Sequence, residues 1–264
     1  MKKILKNYIK NAKSDLACEF IRPKKTNSDE VVKVYEVCLN EVDAEKIGKK
    51  PGKYVTIDTS VVLNAEMDKY TRVCRAIKEE LSKFIQGTNI LVVGLGNYKL
   101  GADSLGVKVC DKVEPTRNIF SSKYTISTIS PGVVGSTGVE SYEVVKGICD
   151  IVKPDTIIVI DSLCAGSISR LLTTFQITDT GITPGSGVNN HRLSFNKENL
   201  NTNVVSIGVP TVVYASTLIK EFDGRSFESN LVVSPKDIDY LIKDCAKIIS
   251  TAINSLFLDN IHFK

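Results

Sequence analysis

The sequence predicts an α/β protein built on a mostly parallel, twisted central sheet with helices on both faces. Two observations carry that expectation. The short apolar runs NILVVGL, KYTISTIS, DTIIVID and NVVSIGV have the length and branched side chains of strands covered on both sides. Helical candidates lie between and after them, so strand and helix alternate through the centre of the chain.

Taken in order, VVKVYEVCLNEV alternates apolar and polar residues and reads as a strand, as does GKYVTIDTS, with NEVDAEKIGKKPG as a short polar connection between them. Met67, Tyr70, Val73, Cys74, Ile77, Leu81 and Phe84 then recur at three- and four-residue spacing, which predicts an amphipathic helix over about 65–86, stopped by Gly87. Further helices are expected over 140–152, 165–172 and 235–256. Residues 181–192, rich in glycine, proline and asparagine, read as a long functional loop or a structural wrap.

The 264 residues suffice for one large α/β domain, and 42% hydrophobic with 24% charged residues is the composition of a folding globular chain. A net charge of +4 from 34 basic and 30 acidic residues is too balanced to argue for nucleic-acid binding. Lys2, Lys3, Lys6, Lys10 and Lys13 make the start a basic amphipathic segment, but it lacks the apolar stretch of a secretory signal. Seven cysteines without CxxC pairs read as buried free thiols in a reducing compartment. With His191 and His262 the only histidines, a histidine-built zinc site is not expected.

In parallel sheets ligands bind beyond the carboxyl ends of the strands. That rule selects GLGNYKLGADSLG, SPGVVGSTGVE, IDSLCAGS and TDTGITPGSGVNNHR. Gly94, Gly96 and Gly101 lack the spacing of a dinucleotide turn, and no Lys-Ser or Lys-Thr follows as in a P-loop, so a phosphate cradle is disfavoured. Asp103 stands at the start of the next predicted helix and Asp161 at the end of a strand, each able to act as a simple helix cap. As a pair at one end of neighbouring strands they could instead share a water, one as base and the other as protonated acid.

The other candidates have plainer readings beside the functional one. Asp179, in ITDTG, suits a turn that bonds local backbone as well as it suits a supporting carboxylate. Glu140 suits a helix start, and Gly96 and Asn97 suit a supporting turn beside Asp103. Ser186 lacks the Gly-x-Ser-x-Gly context of a nucleophile, and Cys164 has no identifiable histidine partner, so it reads as a structural thiol. His191 sits in a polar loop, as a solvated side chain or a substrate contact.

The words SDLACE, KIGKKPGKYVTID, LVVGLGN with ADSLG, SPGVVGSTGVE, KPDTIIVIDSLCAGSISR, TFQITDTGITPGSGVNNHR and VVSIGVPTVV occur in one order over nearly the whole chain. In these words the sequence resembles the germination proteases of spore-forming bacteria, atypical aspartic endopeptidases. The resemblance implies a fold related to that of the hydrogenase maturation proteases. It also implies cleavage of small acid-soluble spore proteins in the forespore and spore core, a cytoplasmic location, with any DNA contact belonging to the substrate. The family's two essential aspartates fall on Asp103 and Asp161, with no metal and no cofactor required.

The resemblance further implies a homotetrameric zymogen that cuts itself near Asp15 and Leu16, within SDLACE. Residues 1–15 are then a propeptide rather than a membrane anchor, and 16–264 one protease domain. Backbone amides of the turns 94–101 or 132–138 are candidates to stabilise an oxyanion. The sequence departs from the family pattern at Gly101 and Ala102, where a Thr-Pro pair is usual, and in SLCAGS after the second aspartate. The competing readings are a hydrogenase-maturation-type endopeptidase, on the Gly-x-Gly-Asn turn, and a diverged member that binds spore proteins without cutting them.

Overall fold

A computed structural model describes residues 14–28, 30–59, 67–119, 123–185, 193–225 and 229–258. Its centre is a parallel ribbon of β4 (Asn89–Gly94), β5 (Thr125–Ile129), β6 (Thr156–Ala165) and β8 (Asn203–Tyr214), in the spatial order β8-β6-β4-β5. An antiparallel wing of β1 (Lys24–Ser28), β2 (Val32–Leu39), β3 (Gly52–Thr59) and β7 (Thr174–Thr178) continues from β8, and the short β9 (Val232–Val233) pairs with the end of β8. The α/β class holds. The expected parallel order describes the β8 to β5 half only, and the wing makes the sheet mixed.

Helices α1 (Glu41–Ile47), α2 (Met67–Ser82), α3 (Leu105–Cys110), α4 (Ser141–Val152), α5 (Ala215–Asp223) and α6 (Ile238–Phe257) join these strands. Period-two alternation divides the core between the faces of the sheet. Ile90, Val92, Ile158, Ile160, Val205 and Ile207 pack with α2, α3 and α6, while Leu91, Val93, Ile157, Val159 and Val204 pack with α4 and Phe195 on the opposite face. Helices therefore cover both faces. Each such side chain taken wholly out of water contributes roughly 1.5–3 kcal/mol.

Three expectations are corrected. The segment after Leu39 is helical (α1) rather than a connection, because Asn40 Oδ1 accepts the Asp43 amide at 2.9 Å and Gly48, at φ 66°, closes the other end. No α-helix spans 165–172. Instead β6 runs on to Ala165, because the twelve-residue β8 offers it partners as far as Val213, and only a 3-10 turn (Ile168–Arg170) follows. Helix α5 answers no expected element. The helix expected over 65–86 is seen from Met67 to Ser82, and the terminal one from Ile238 to Phe257.

The parallel half is locked at its carboxyl end by glycines. Helix α3 presses Gly106 against the backbones of β4 and β6, so that an added Cβ would overlap the Ile160 carbonyl oxygen and stand 2.5 Å from the Leu95 backbone N and O. Gly94 faces the same helix and would overlap the Gly106 carbonyl. At the other end Asp155 accepts the Thr88 and Asn89 amides, both at 2.8 Å, and these two bonds hold its carboxyl below the usual range.

Gly106→Ala is expected to destabilise the fold by about 1–3 kcal/mol, read as a lower urea midpoint at unchanged m. Gly147→Ala, in the interior of α4 with nothing within 4 Å of the new methyl, is expected to move the midpoint the other way, by about 0.5–1 kcal/mol. Equal shifts of the same sign would show that close approach at Gly106 is not what sets its identity.

Candidate active site

β4 ends at Gly94, and the Leu95 amide donates to the Ile160 carbonyl at 2.8 Å, carrying the pairing one residue further. Gly96 then turns the chain at φ 110°, a conformation that L side chains avoid, and its α-carbon abuts the Asp103 carbonyl. The Asn97 amide donates both to the Asp103 carbonyl at 2.8 Å and to Asp103 Oδ2 at 3.0 Å. A 3-10 turn (Gly101–Asp103) brings the aspartate there, and Ser104 rather than Asp103 occupies the N-cap position of α3. The Asp103 carboxylate thus reaches back over the end of β4. Its turn packs against β6, β8 and α6.

Asp161 lies within β6, only 4% exposed, with Oδ1 accepting the Ser162 amide at 2.9 Å. It pairs with Gly208 on β8, which in turn pairs with Gln176 on β7. Partners in adjacent strands share a face, so Asp161 and Gln176 stand on one side of the sheet with a glycine between them. Leu163 leans over that glycine, its side chain 2.5 Å from where a Cβ would be. Beside Asp161, the Ser162 hydroxyl oxygen is buried with no hydrogen-bond partner among the described residues.

The structure brings Asp103, Gly96 and Asn97 to the end of β4 and Asp161 to the neighbouring strand. It places the other candidates elsewhere. Asp179 follows β7, which runs against β8, so it lies toward the amino ends of the parallel strands, where Oδ1 accepts the Lys53 amide at 2.8 Å. Glu140 caps α4 in a reciprocal box with Glu143, its amide donating to Glu143 Oε2 at 3.1 Å. The 132–138 turn follows β5, the outer strand of the parallel half, and leaves the 94–101 turn as the one touching Asp103. Ser186 and His191 fall outside the described residues. Cys164 is buried, and burial first, then Asp15 and Glu19, push its thiol up to about 12, as suits a structural thiol.

The segment carrying Asp15 and Leu16 is held close to Asp161. The Asp15 amide donates to the Cys164 carbonyl and its Oδ2 accepts the Cys164 amide, both at 2.9 Å. Gln176 donates to the Asp15 carbonyl at 3.1 Å and accepts the Ala17 amide at 2.9 Å. Lys49 Nζ donates to the Ser14 carbonyl at 2.8 Å and stands 3.9 Å from Asp15 Oδ1, while burial lowers its ammonium pKa. Leu16 is wholly buried against Leu163, Ala165 and Val213. Glu19 accepts from Ser14 and from the Gly166 amide, and Arg170 links it to Asp58.

Sequence reasoning passed over Lys49, Gln176 and Arg170. Lys49 belongs to a charge run that resembles a solvated face, and Arg170 stood in an expected helix. Gln176 did leave a signal, as a lone amide within the strand TFQIT.

Fold and site together define an α/β protein with one carboxylate in the turn that leaves β4 and another inside the adjacent parallel strand β6, beside the end of β4. The family model for germination proteases matches residues 3–224, and the chain belongs to that family of peptidases. It is 37% identical over 274 aligned positions to the germination protease of Caldanaerobacter subterraneus subsp. tengcongensis, covering 86% of this chain and 85% of that one. It is 35% identical to the germination protease of Clostridium perfringens (strain ATCC 13124), over 86% and 84% of the two chains. The germination protease of Bacillus mycoides is 38% identical over 75% of this chain and 58% of its own length. Among solved structures, the nickel–iron hydrogenase maturation protease HycI from Thermococcus kodakarensis KOD1 aligns with a TM-score of 0.41 and 20% identity, over 66% of this chain and 99% of that one.

The segment Ser14–Glu19 lies as a strap along the end of β6, and at Glu19 it has a defined pH response. Burial is the largest influence on its carboxyl and lifts it above the usual range, against the opposing pull of Ser14, Gly166, Arg170 and Lys49. A raised folded pKa gives stability that is fully present below the unfolded value, about 4.3, and is lost as pH rises through the folded value. The stability of the wild type relative to Glu19→Gln, from urea titrations across that window, is therefore expected to fall as pH rises. A difference that grows with pH would overturn the assignment.

Proposed function

We propose that the protein is an endopeptidase that begins the degradation of small acid-soluble spore proteins at germination, with Asp103 and Asp161 acting as an acid/base pair on a water. The observation that carries this reading is that Asp103, in the turn leaving β4, and Asp161, inside β6 just past the level where β4 ends, stand on adjacent parallel strands held by backbone-to-backbone contact at Gly94 and Gly106. One carboxylate takes the proton of the water as it attacks the peptide carbonyl. The other, protonated, donates its proton to the carbonyl oxygen; the first then passes the proton taken from water to the leaving amine while the second recovers its own as the carbonyl re-forms. Their mutual repulsion favours this split of one proton between two acids. Amides of the 94–101 turn are suited to receive the developing oxyanion.

On the same reading the chain is a zymogen that loses residues 1–15 by self-cleavage, assembles as a homotetramer and works in the forespore and spore core without metal or cofactor. Among the described residues no helix is long and apolar enough to cross a membrane.

Incubating the protein with a small acid-soluble spore protein and following fragments by mass spectrometry tests the proposal. Asp103→Asn and Asp161→Asn are each expected to slow cleavage by about a hundredfold or more, with the far-UV circular dichroism unchanged. Full activity in either variant sinks the aspartate pair. Loss of activity with a chelator would favour the metal-dependent rival, and binding without fragments the non-catalytic one.

A further inference from the structure

The turn that carries Asp103 is rigid, yet it holds two large apolar side chains in water. The Asn97 carbonyl accepts the Leu100 amide at 3.0 Å, the Leu100 carbonyl accepts the Asp103 amide at 2.9 Å, and Asn97 Oδ1 accepts the Lys99 amide at 3.0 Å. Gly101 rests on the first turn of α6, where an added Cβ would overlap Asp239 Oδ1 and stand 3.2 Å from Ile238. Between these fixed points Tyr98 is 66% exposed and Leu100 57%.

A single apolar side chain on a surface needs no explanation. These two are different, because the bonds on either side of them prevent the turn from folding them inward, and both precede Asp103 in the same turn. Loops fixed by a scaffold beside a reacting group are where an enzyme meets its substrate. The contact they offer is bulk rather than charge. The Asn97 amide is engaged by Asp103, its side-chain oxygen by Lys99, and the Lys99 ammonium stands 5.7 Å from the centre of the Tyr98 ring.

We propose that Tyr98 and Leu100 are specificity-determining residues, which dock a bulky apolar side chain of the peptide substrate beside Asp103. The inference rests on the peptidase reading of Asp103 for its purpose, and on the turn alone for its chemistry. The occupant is a peptide because the surface is continuous, through a hydrogen-bonded turn, with the carboxylate that acts on the peptide bond. Its side chain is apolar because only an apolar group gains by taking Tyr98 and Leu100 out of water.

The test starts from the full-length chain and a small acid-soluble spore protein, with the bond that is cut located by mass spectrometry. Short peptides spanning that bond are made with each position in turn as Leu or as Ser. At one position the wild type is expected to favour Leu by about tenfold or more in kcat/KM. The double variant Tyr98→Ser, Leu100→Ser is expected to bring that ratio near unity, chiefly by raising KM for the Leu peptide, and Tyr98→Phe with Leu100→Met to retain it. Ile151, 78% exposed near the end of α4 that leads to the amino end of β6, supplies the control, and Ile151→Ser leaves the ratio unchanged. If the double variant does not fold, judged by circular dichroism, the single substitutions replace it, each lowering the ratio about threefold. Binding is read separately, from the fluorescence anisotropy of the labelled spore protein with the Asp103→Asn chain, and the double substitution is expected to weaken it about tenfold.

A ratio that survives in the folded variant overturns the proposal. So does a fall in kcat at an unchanged ratio, since the turn would then only hold Asp103 in place. A shifted size-exclusion volume at an unchanged ratio overturns it too, since a second copy would then be what covers Tyr98 and Leu100. If the wild type yields no fragments, the peptidase reading fails by itself and the binding assay still decides: weaker binding in the double variant upholds the docking surface, and undiminished or absent binding overturns it.

Discussion

The geometry of the candidate site depends on one contact from which side chains are absent. Helix α3 lies so close to β4 and β6 that Gly106 touches the Leu95 and Ile160 backbones, and Gly94 faces it from the strand. Packed cores deform little, because each displaced methylene forces its neighbours off their rotamers. A methyl group at either glycine would push α3 outward and carry with it the turn that begins at Gly96. Asp103 hangs from that turn by the Asn97 amide, whereas Asp161 belongs to the strand below. The relative position of the backbones that carry the two aspartates is thus set by backbone contact, a stiffer linkage than any pair of long side chains could supply.

The second determinant is the length of β8. Because it runs from Asn203 to Tyr214, β6 stays paired to Ala165 and Asp161 is embedded in the sheet with strand on both sides of it. A carboxylate at the loose end of a strand could swing into solvent. One inside a paired strand has its backbone fixed and only its side-chain torsions free, and this one is nearly buried. The same extension creates the ledge at Leu163, Cys164 and Ala165 on which the strap lies. Site and strap are consequences of one strand running four residues beyond its expected end at Asp161.

That pattern explains what could be read in the sequence. NILVVG and TIIVI are apolar runs whose alternate residues serve two faces, so β4, β6 and their order as neighbours in an α/β sheet were legible, and with them the end at which Asp103 and Asp161 stand. SLCA was not legible as strand, because a polar residue and two small ones interrupt the run and only the partner strand makes them extended. Asp103 looked like a helix cap from its position, and the cap proved to be Ser104, one residue later, since Gly96 lets the chain fold back far enough for the carboxylate to find Asn97. Lys49 left no signal, and Gln176 only that of a lone amide within a strand, with no hint of what it holds. Their partners lie 35 and more than 150 residues away in the chain, and nothing local distinguishes a lysine that meets a backbone carbonyl from one that meets water.

The strap also constrains any account of self-processing. If the bond between Asp15 and Leu16 is the one cut, it is stored in a place where it cannot be cut. Leu16 has no exposed surface, the bond's carbonyl accepts from Gln176 and its amide donates to the Ser14 hydroxyl, and Asp15 is tied to a residue about 10 Å along β6 from Asp161. A carboxylate–water pair must come within hydrogen-bond reach of the carbonyl it attacks, so the bond has to travel before the chemistry can begin. Either the strap leaves its ledge and returns in a shifted register, or a second copy supplies the carboxylates. Both routes require breaking the same five bonds to Lys49, Cys164 and Gln176. If the proposed self-cleavage falls at this bond, its rate is governed by release of the strap, and the junction stays intact until then.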